Sequence, residues 1–86
     1  MGLRRNKIDI VREILSKAVD GIEKTTIVYS TNLNFARAEK YIDIPLEEGL
    51  IRPLGGPKVK YKTTYKGLKF LKLCKNLEEV ADLFIP

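Results

Sequence analysis

The sequence predicts an α+β fold, mostly α: three helices and a two-stranded hairpin, followed by a C-terminal helix. Three observations predict it. Apolar residues recur at three- and four-residue spacing in the stretches that begin after Asn6, Asn34 and Thr64, each of these a good N-cap residue. Two short strand-like segments, Ile51 to Leu54 and Lys58 to Thr63, flank the turn signal Gly55-Gly56-Pro57. The chain has 86 residues, 44% hydrophobic and 31% charged, which suffices for one core that buries about 60 to 65 per cent of the chain's surface. We therefore divide it into a domain over 1–64 and a C-terminal helix over 65–86 packed on that domain.

Helix 1 opens at Asn6, with Asp9 three positions on as a weaker form of the capping box. Its expected buried stripe is Ile8, Val11, Ile14, Leu15, Ala18 and Val19. Arg12, Glu13 and Lys17 then lie outward as a solvated face, and Asp20-Gly21 ends the helix. A short second helix, Lys24 to Ser30, buries Ile27 and Val28, and Thr31-Asn32-Leu33 forms the turn that follows it.

The third helix organises the rest. Asn34 caps it, and Phe35, Ala38, Ile42 and Leu46, with Tyr41 beside them, make an apolar face that must be covered, while Arg37 and Lys40 stand opposite. Pro45 falls inside this pattern, where it removes a backbone donor, so a kink or an early end near Ile44 is expected. Gly49 supplies a left-handed residue after the helix, and Leu50-Ile51 hands over to a strand. In the hairpin Val59, Tyr61 and Thr63 alternate with Lys58, Lys60 and Lys62, which predicts a core-directed face and a face of three ammonium groups. Pro53 is tolerated on a short edge strand.

Thr64 caps the last helix, Tyr65 to about Phe84. Leu68 and Leu71 are expected to turn toward the hairpin and helix 1. Phe70, Leu73, Leu77, Val80 and Phe84 follow spacings of 3, 4, 3 and 4, the seam of a short coiled coil, unless they too pack on the domain's own core.

Sixteen Lys and Arg against eleven Asp and Glu give a net charge of +5, and Arg52 to Lys75 contains Arg52 and seven lysines but no acid. Such a block suits a polyanionic partner. The chain has no histidine, which excludes imidazole base catalysis and His-containing zinc sites. Glu47-Glu48 and Glu78-Glu79 are neighbours on helices and point about 100° apart, so neither makes an acid-base pair. Gly55-Gly56-Pro57 opens no helix and lacks the Lys-Ser/Thr of a phosphate loop. No enzyme activity, cofactor or metal is expected. A single cysteine, Cys74, fits a reducing, intracellular setting, and no apolar run is long enough for a membrane span, so a cytoplasmic protein is expected.

Helix, turn, helix spacing is that of a DNA-binding motif, and also of proteins that bind no DNA. A row of lysines on a strand can serve solubility or edge protection alone. Set beside Arg37 and Lys40, the hairpin lysines favour phosphate binding, which makes the hairpin a wing.

In order along the chain, Arg4-Arg5 with Ile8 and Ile10-Val11, Lys24-Thr25 with Ile27 and Tyr29, Leu33-Asn34-Phe35, Tyr41-Ile42, Gly49-Leu50-Ile51, Tyr61, and Thr64 with Lys66-Gly67-Leu68 resemble the archaeal winged helix-turn-helix family of small, basic, chromatin-type DNA-binding proteins. The resemblance implies a winged-helix domain and a C-terminal helix that pairs antiparallel between two subunits. Two features depart from the pattern: Pro45 stands where the family has an apolar helix residue, and the last helix is short.

The resulting expectation is a homodimeric, nucleoid-associated binder of double-stranded DNA, either a transcription regulator or an architectural protein. Asn34, Arg37 and Lys40 would face base edges, while Arg4, Arg5, Lys24, Thr25, Lys58, Lys60 and Lys62 would contact phosphates. Phe70, Leu73, Leu77, Val80 and Phe84 would form the dimer seam. The alternatives are a protein-interaction winged helix and a binder of structured RNA, which would engage the lysines alone.

Overall fold

The computed structural model describes residues 6–84. The order of elements is α1 (Lys7–Lys17), β1 (Ile22–Glu23), α2 (Lys24–Thr31), α3 (Phe35–Glu47), β2 (Ile51–Leu54), β3 (Lys60–Thr63) and α4 (Tyr65–Asp82). The capping at Asn6 is a complete box: its side chain accepts from the Asp9 amide at 2.9 Å, and Asp9 accepts from the Asn6 amide at 3.2 Å.

The sheet has three antiparallel strands in the order β1-β3-β2, not the two expected. The extra strand is Ile22–Glu23, paired with Tyr61 and Lys60. Two residues carry no periodicity, and this strand exists because β3 already lies alongside; the pairing continues into α2, whose Lys24 amide donates to the Val59 carbonyl at 2.9 Å. β3 begins at Lys60, so the connection from β2 runs over 55–59 and is longer than the three-residue turn expected.

Ile10, Val11, Ile14, Leu15, Ala18, Ile27, Ile42, Leu50, Ile51 and Tyr61 form one core, with Leu33, Tyr41, Leu46, Phe70 and Leu71 half-buried against it. Each large aliphatic side chain among them contributes about 1.5 to 3 kcal/mol on full burial. Several expected members lie elsewhere, Val19 and Val28 among them, each only half-buried and outside this core. Ile8 is 57% exposed and Ile10 is buried instead, the two standing on opposite margins of the stripe formed by Val11, Ile14 and Leu15. Phe35 is 55% exposed, since it begins α3 beyond the edge of the core, and Leu68 is 43% exposed while Leu71 turns inward. The expected early end of α3 does not occur: the helix continues through Pro45 to Glu47. The proline ring is fully buried, which offsets the lost backbone donor, and the flanking hydrogen bond from the Glu48 amide to the Ile44 carbonyl is kept at 3.2 Å.

Two adjacent threonines lock the sheet to the helices. Thr63 sends its amide to the Ala18 carbonyl at 2.9 Å and its hydroxyl to the Leu15 carbonyl at 2.6 Å, satisfying groups at the C-terminal end of α1. Thr64 donates from its amide to the Leu50 carbonyl at 2.9 Å and from its hydroxyl to the Gly49 carbonyl at 2.6 Å, and accepts from the Gly67 amide to cap α4. Gly49 adopts φ +73°, as expected for the residue that ends α3. The first turn of α4 approaches so closely that a Cβ on Gly67 would lie 2.2 Å from the Leu50 carbonyl oxygen.

Candidate nucleic-acid interface

α3 presents its basic residues through its own cap. Asn34 accepts from the Arg37 amide at 2.8 Å, so its side-chain oxygen is used inside the first turn while the residue stays exposed. Arg37 and Lys40 are exposed, opposite the buried Ala38, Ile42 and Pro45. The solvent face of α3 is divided by charge: Arg37 and Lys40 stand in its first half, and Asp43, Glu47 and Glu48 are exposed in and just after its second. The helix N-terminus adds its partial positive charge to the basic half.

In the hairpin, the register sets Arg52 opposite Lys62 and Leu54 opposite Lys60. Tyr61 and Thr63 are buried and the lysines lie on the other face, as the alternation predicts, with Lys60 exposed and Lys62 half-buried. Val59 departs from it and is 57% exposed, because it precedes the strand and is held by its carbonyl alone. Arg52 and Lys62 are like charges directly across an antiparallel pair, an arrangement that costs stability unless an anion lies over it. Arg52 was not among the residues expected at the interface. Its alternation with buried Ile51 was the available signal.

Lys24, Thr25 and Lys58 come together in a concavity of about 440 Å³ between the hairpin and the start of α2, with Glu23, Phe35 and Val59 completing its wall. Both of its cations have protein partners. The Lys24 ammonium bonds to the Glu39 carboxylate at 2.5 Å and sits 5.3 Å from the centre of the Phe35 ring, which joins α2 to α3. The hydrogen bond that Lys24 donates to Glu39 is the main cause that raises the Lys24 pKa above 10.5. Lys58 lies 3.6 Å from Glu23. Thr25 is exposed. A second concavity of about 440 Å³ is lined by Lys7, Arg37, Lys40, Tyr41 and Ile44, and it places α1's first lysine beside the basic half of α3. Arg4 and Arg5 lie outside the described residues.

The stripe along α4 divides. Phe70 is half-buried against the core, whereas Leu73, Leu77, Val80 and Phe84 are 57%, 61%, 53% and 81% exposed. An ion pair between Arg12 and Glu78 ties the far part of α4 back to α1. Among the described residues no helix is long and apolar enough to cross a membrane.

The pattern of the winged helix-turn-helix family matches residues 4–82. The fold is similar to that of Sso10a-2, described as a DNA-binding protein from Sulfolobus solfataricus, with 24% identity over 95% of this chain and 99% of that chain and a TM-score of 0.65. No curated protein matches the chain.

Proposed function

The chain belongs to the winged helix-turn-helix family, and from that premise we propose that it binds double-stranded DNA as a homodimer, as a transcription regulator or an architectural protein of the nucleoid, without catalysis. The observation that carries the reading is two basic groups that form no salt bridge among the described residues: Arg37 and Lys40, exposed on α3, and Lys60 with the opposed Arg52 and Lys62 on the wing. A phosphate backbone would relieve the like-charge opposition of Arg52 and Lys62. The acidic second half of α3 means that the helix enters a major groove by its N-terminal half, so Asn34, Arg37 and Lys40 meet base edges.

Lys58, Lys60 and Lys62 position the wing on phosphates, with Lys24 and Thr25 beside Lys58 in the same concavity, and Arg4 and Arg5 add further phosphate contacts. Lys24 does this while remaining the anchor between α2 and α3, which lowers its expected share of the affinity. Residues 65–86 are the dimerisation segment, its helix α4 first packed on the domain through Phe70 and Leu71 and the segment then pairing with a second copy through Leu73, Leu77, Val80 and Phe84. The exposure of those four side chains supports this, since water is a costly environment for such a stripe. A gel-shift titration of duplex DNA against single-stranded DNA and duplex RNA, at two salt concentrations, tests the function. Preferred, salt-dependent binding to duplex DNA is expected; equal affinity for duplex RNA, or none for any nucleic acid, would shift the reading to an RNA binder or to a protein-interaction module.

A further inference from the structure

A cavity of about 330 Å³ opens between α1, α3 and α4, walled by Ile8, Val11, Ile44, Leu50 and Phe70. Its floor, Val11 and Leu50, belongs to the core, whereas Ile8 and Ile44 are 57% and 39% exposed at its sides. Lys7, Lys66 and Glu48 complete its lining. The Lys66 ammonium donates to the Glu48 backbone carbonyl at 2.7 Å, which fixes that side of the wall. The volume lies at the low end of small-molecule sites, whose usual form is an apolar hollow with a few placed polar groups.

The cavity adjoins the basic concavity of α3. Lys7 and Ile44 line both, and beyond them stand Arg37 and Lys40, with no carboxylate in the lining of that second hollow. An apolar chamber thus continues into a cluster of Lys7, Arg37 and Lys40. We infer that the two together form a binding site for a small amphiphilic anion, its apolar body between Ile8, Ile44 and Phe70 and its anionic head at Lys7, Lys40 and Arg37. The charge of the cluster selects the sign of the head, and the size of the chamber limits the tail to a short chain or a single ring. Resting on the proposed DNA-binding role of Arg37 and Lys40, the inference adds a consequence: a ligand head at these residues occupies groups that DNA would use, so ligand and duplex exclude one another. The protein would then release DNA in response to such a compound.

The test uses the full chain and three probes with one tail, octanoate and octyltrimethylammonium below their micellar concentrations and octanol below its solubility limit. Calorimetry should find octanoate bound about tenfold more tightly than octanol, with the cation weakest, since a charge-assisted contact distinguishes them. Ile8→Trp, a change at an exposed position that fills the chamber, should remove octanoate binding and leave duplex affinity intact. Octanoate should lower duplex affinity in the unsubstituted protein and have no effect on Ile8→Trp. Equal binding of all three probes, or of none, overturns the site, as does binding only to anionic phospholipid vesicles. Octanoate binding that leaves duplex affinity unchanged overturns the exclusion. If Ile8→Trp instead alters the sedimentation mass and octanoate does not bind, the chamber is covered by a second copy and the ligand reading fails. Calorimetry of octanoate needs no DNA, so failure of the DNA-binding role would show in the gel shift alone.

Discussion

Replacing Gly67 by alanine sets two effects of opposite sign against each other. Alanine is the better helix former by about 0.8 to 1 kcal/mol, so at a position open to solvent the substitution would stabilise α4. Here the new Cβ would lie 2.2 Å from the Leu50 carbonyl oxygen and 2.6 Å from Thr63 Cγ2. The oxygen cannot turn away, because it accepts the Thr64 amide at 2.9 Å. Relief requires α4 to move off the Gly49-Leu50 turn, which loosens that bond and the one from the Thr64 hydroxyl to the Gly49 carbonyl. Two such bonds are worth about 1 kcal/mol each, and overpacking adds about 1 to 3 kcal/mol. Less the propensity gain, the net cost is about 2 to 4 kcal/mol, a fall in Tm of about 10 to 30 °C for a domain of this size. Thermal denaturation followed by circular dichroism, at matched protein concentration, measures it. A Tm equal to or above that of the unsubstituted protein would mean that α4 is not seated on the Leu50 backbone as described.

Arg37→Ala should lower affinity for a preferred duplex by about 1 to 3 kcal/mol and narrow the gap to random sequence, whereas an equal loss on all sequences in competition titrations would make Arg37 a phosphate contact. On the wing, Arg52→Gln with Lys60→Gln should flatten the salt dependence of binding by about 0.9 for each phosphate that is no longer neutralised. Arg52→Gln alone should also raise stability by about 0.2 to 1 kcal/mol, since the opposition to Lys62 is removed; a lower denaturation midpoint would count against that account. Leu77→Glu should give a folded monomer with weaker DNA binding, because linked domains raise one another's local concentration; a monomeric unsubstituted protein in sedimentation equilibrium would sink the dimer. Lys24 is held above its ordinary pKa of 10.5, first by the Glu39 hydrogen bond, so its stabilisation is whole below 10.5 and is lost as pH rises through the folded value. Glu39→Gln should therefore narrow its stability deficit relative to the parent as the pH is raised above about 10.5, and a constant deficit in denaturation midpoints would refute the linkage.

Helix starts were legible because capping is local chemistry: Asn6, Asn34 and Thr64 each accept from the amide three positions on. What depended on distant neighbours was not. Periodicity at the start of α1 could not choose between Ile8 and Ile10, since each suits an apolar stripe and only the packed partners decide. β1 required β3, and the exposure of Phe35 required knowing where the core ends. At the candidate interface, the facing of Lys60 and Lys62 followed from alternation alone. The opposition of Arg52 to Lys62 needed the register across a five-residue connection, and the pairing of Lys24 with Glu39 joins residues fifteen apart. Pro45 misled in the usual direction, because a rule about backbone donors does not count the burial of the ring.

Among the described residues the order of the sheet leaves two edges unpaired, and both are poor templates for polymerisation. On one side stands β1, two residues long, which offers an incoming chain almost no ladder. On the other, β2 carries Pro53, which has no N–H to give, beside a charged and exposed Arg52. Both devices are ways of blunting a strand edge. A basic hairpin that crowds against many identical copies along one polyanion would meet other hairpins at high local density. Were this hairpin so crowded, its strand edges would resist zipping into shared sheets, and dense coating would not turn into fibre formation.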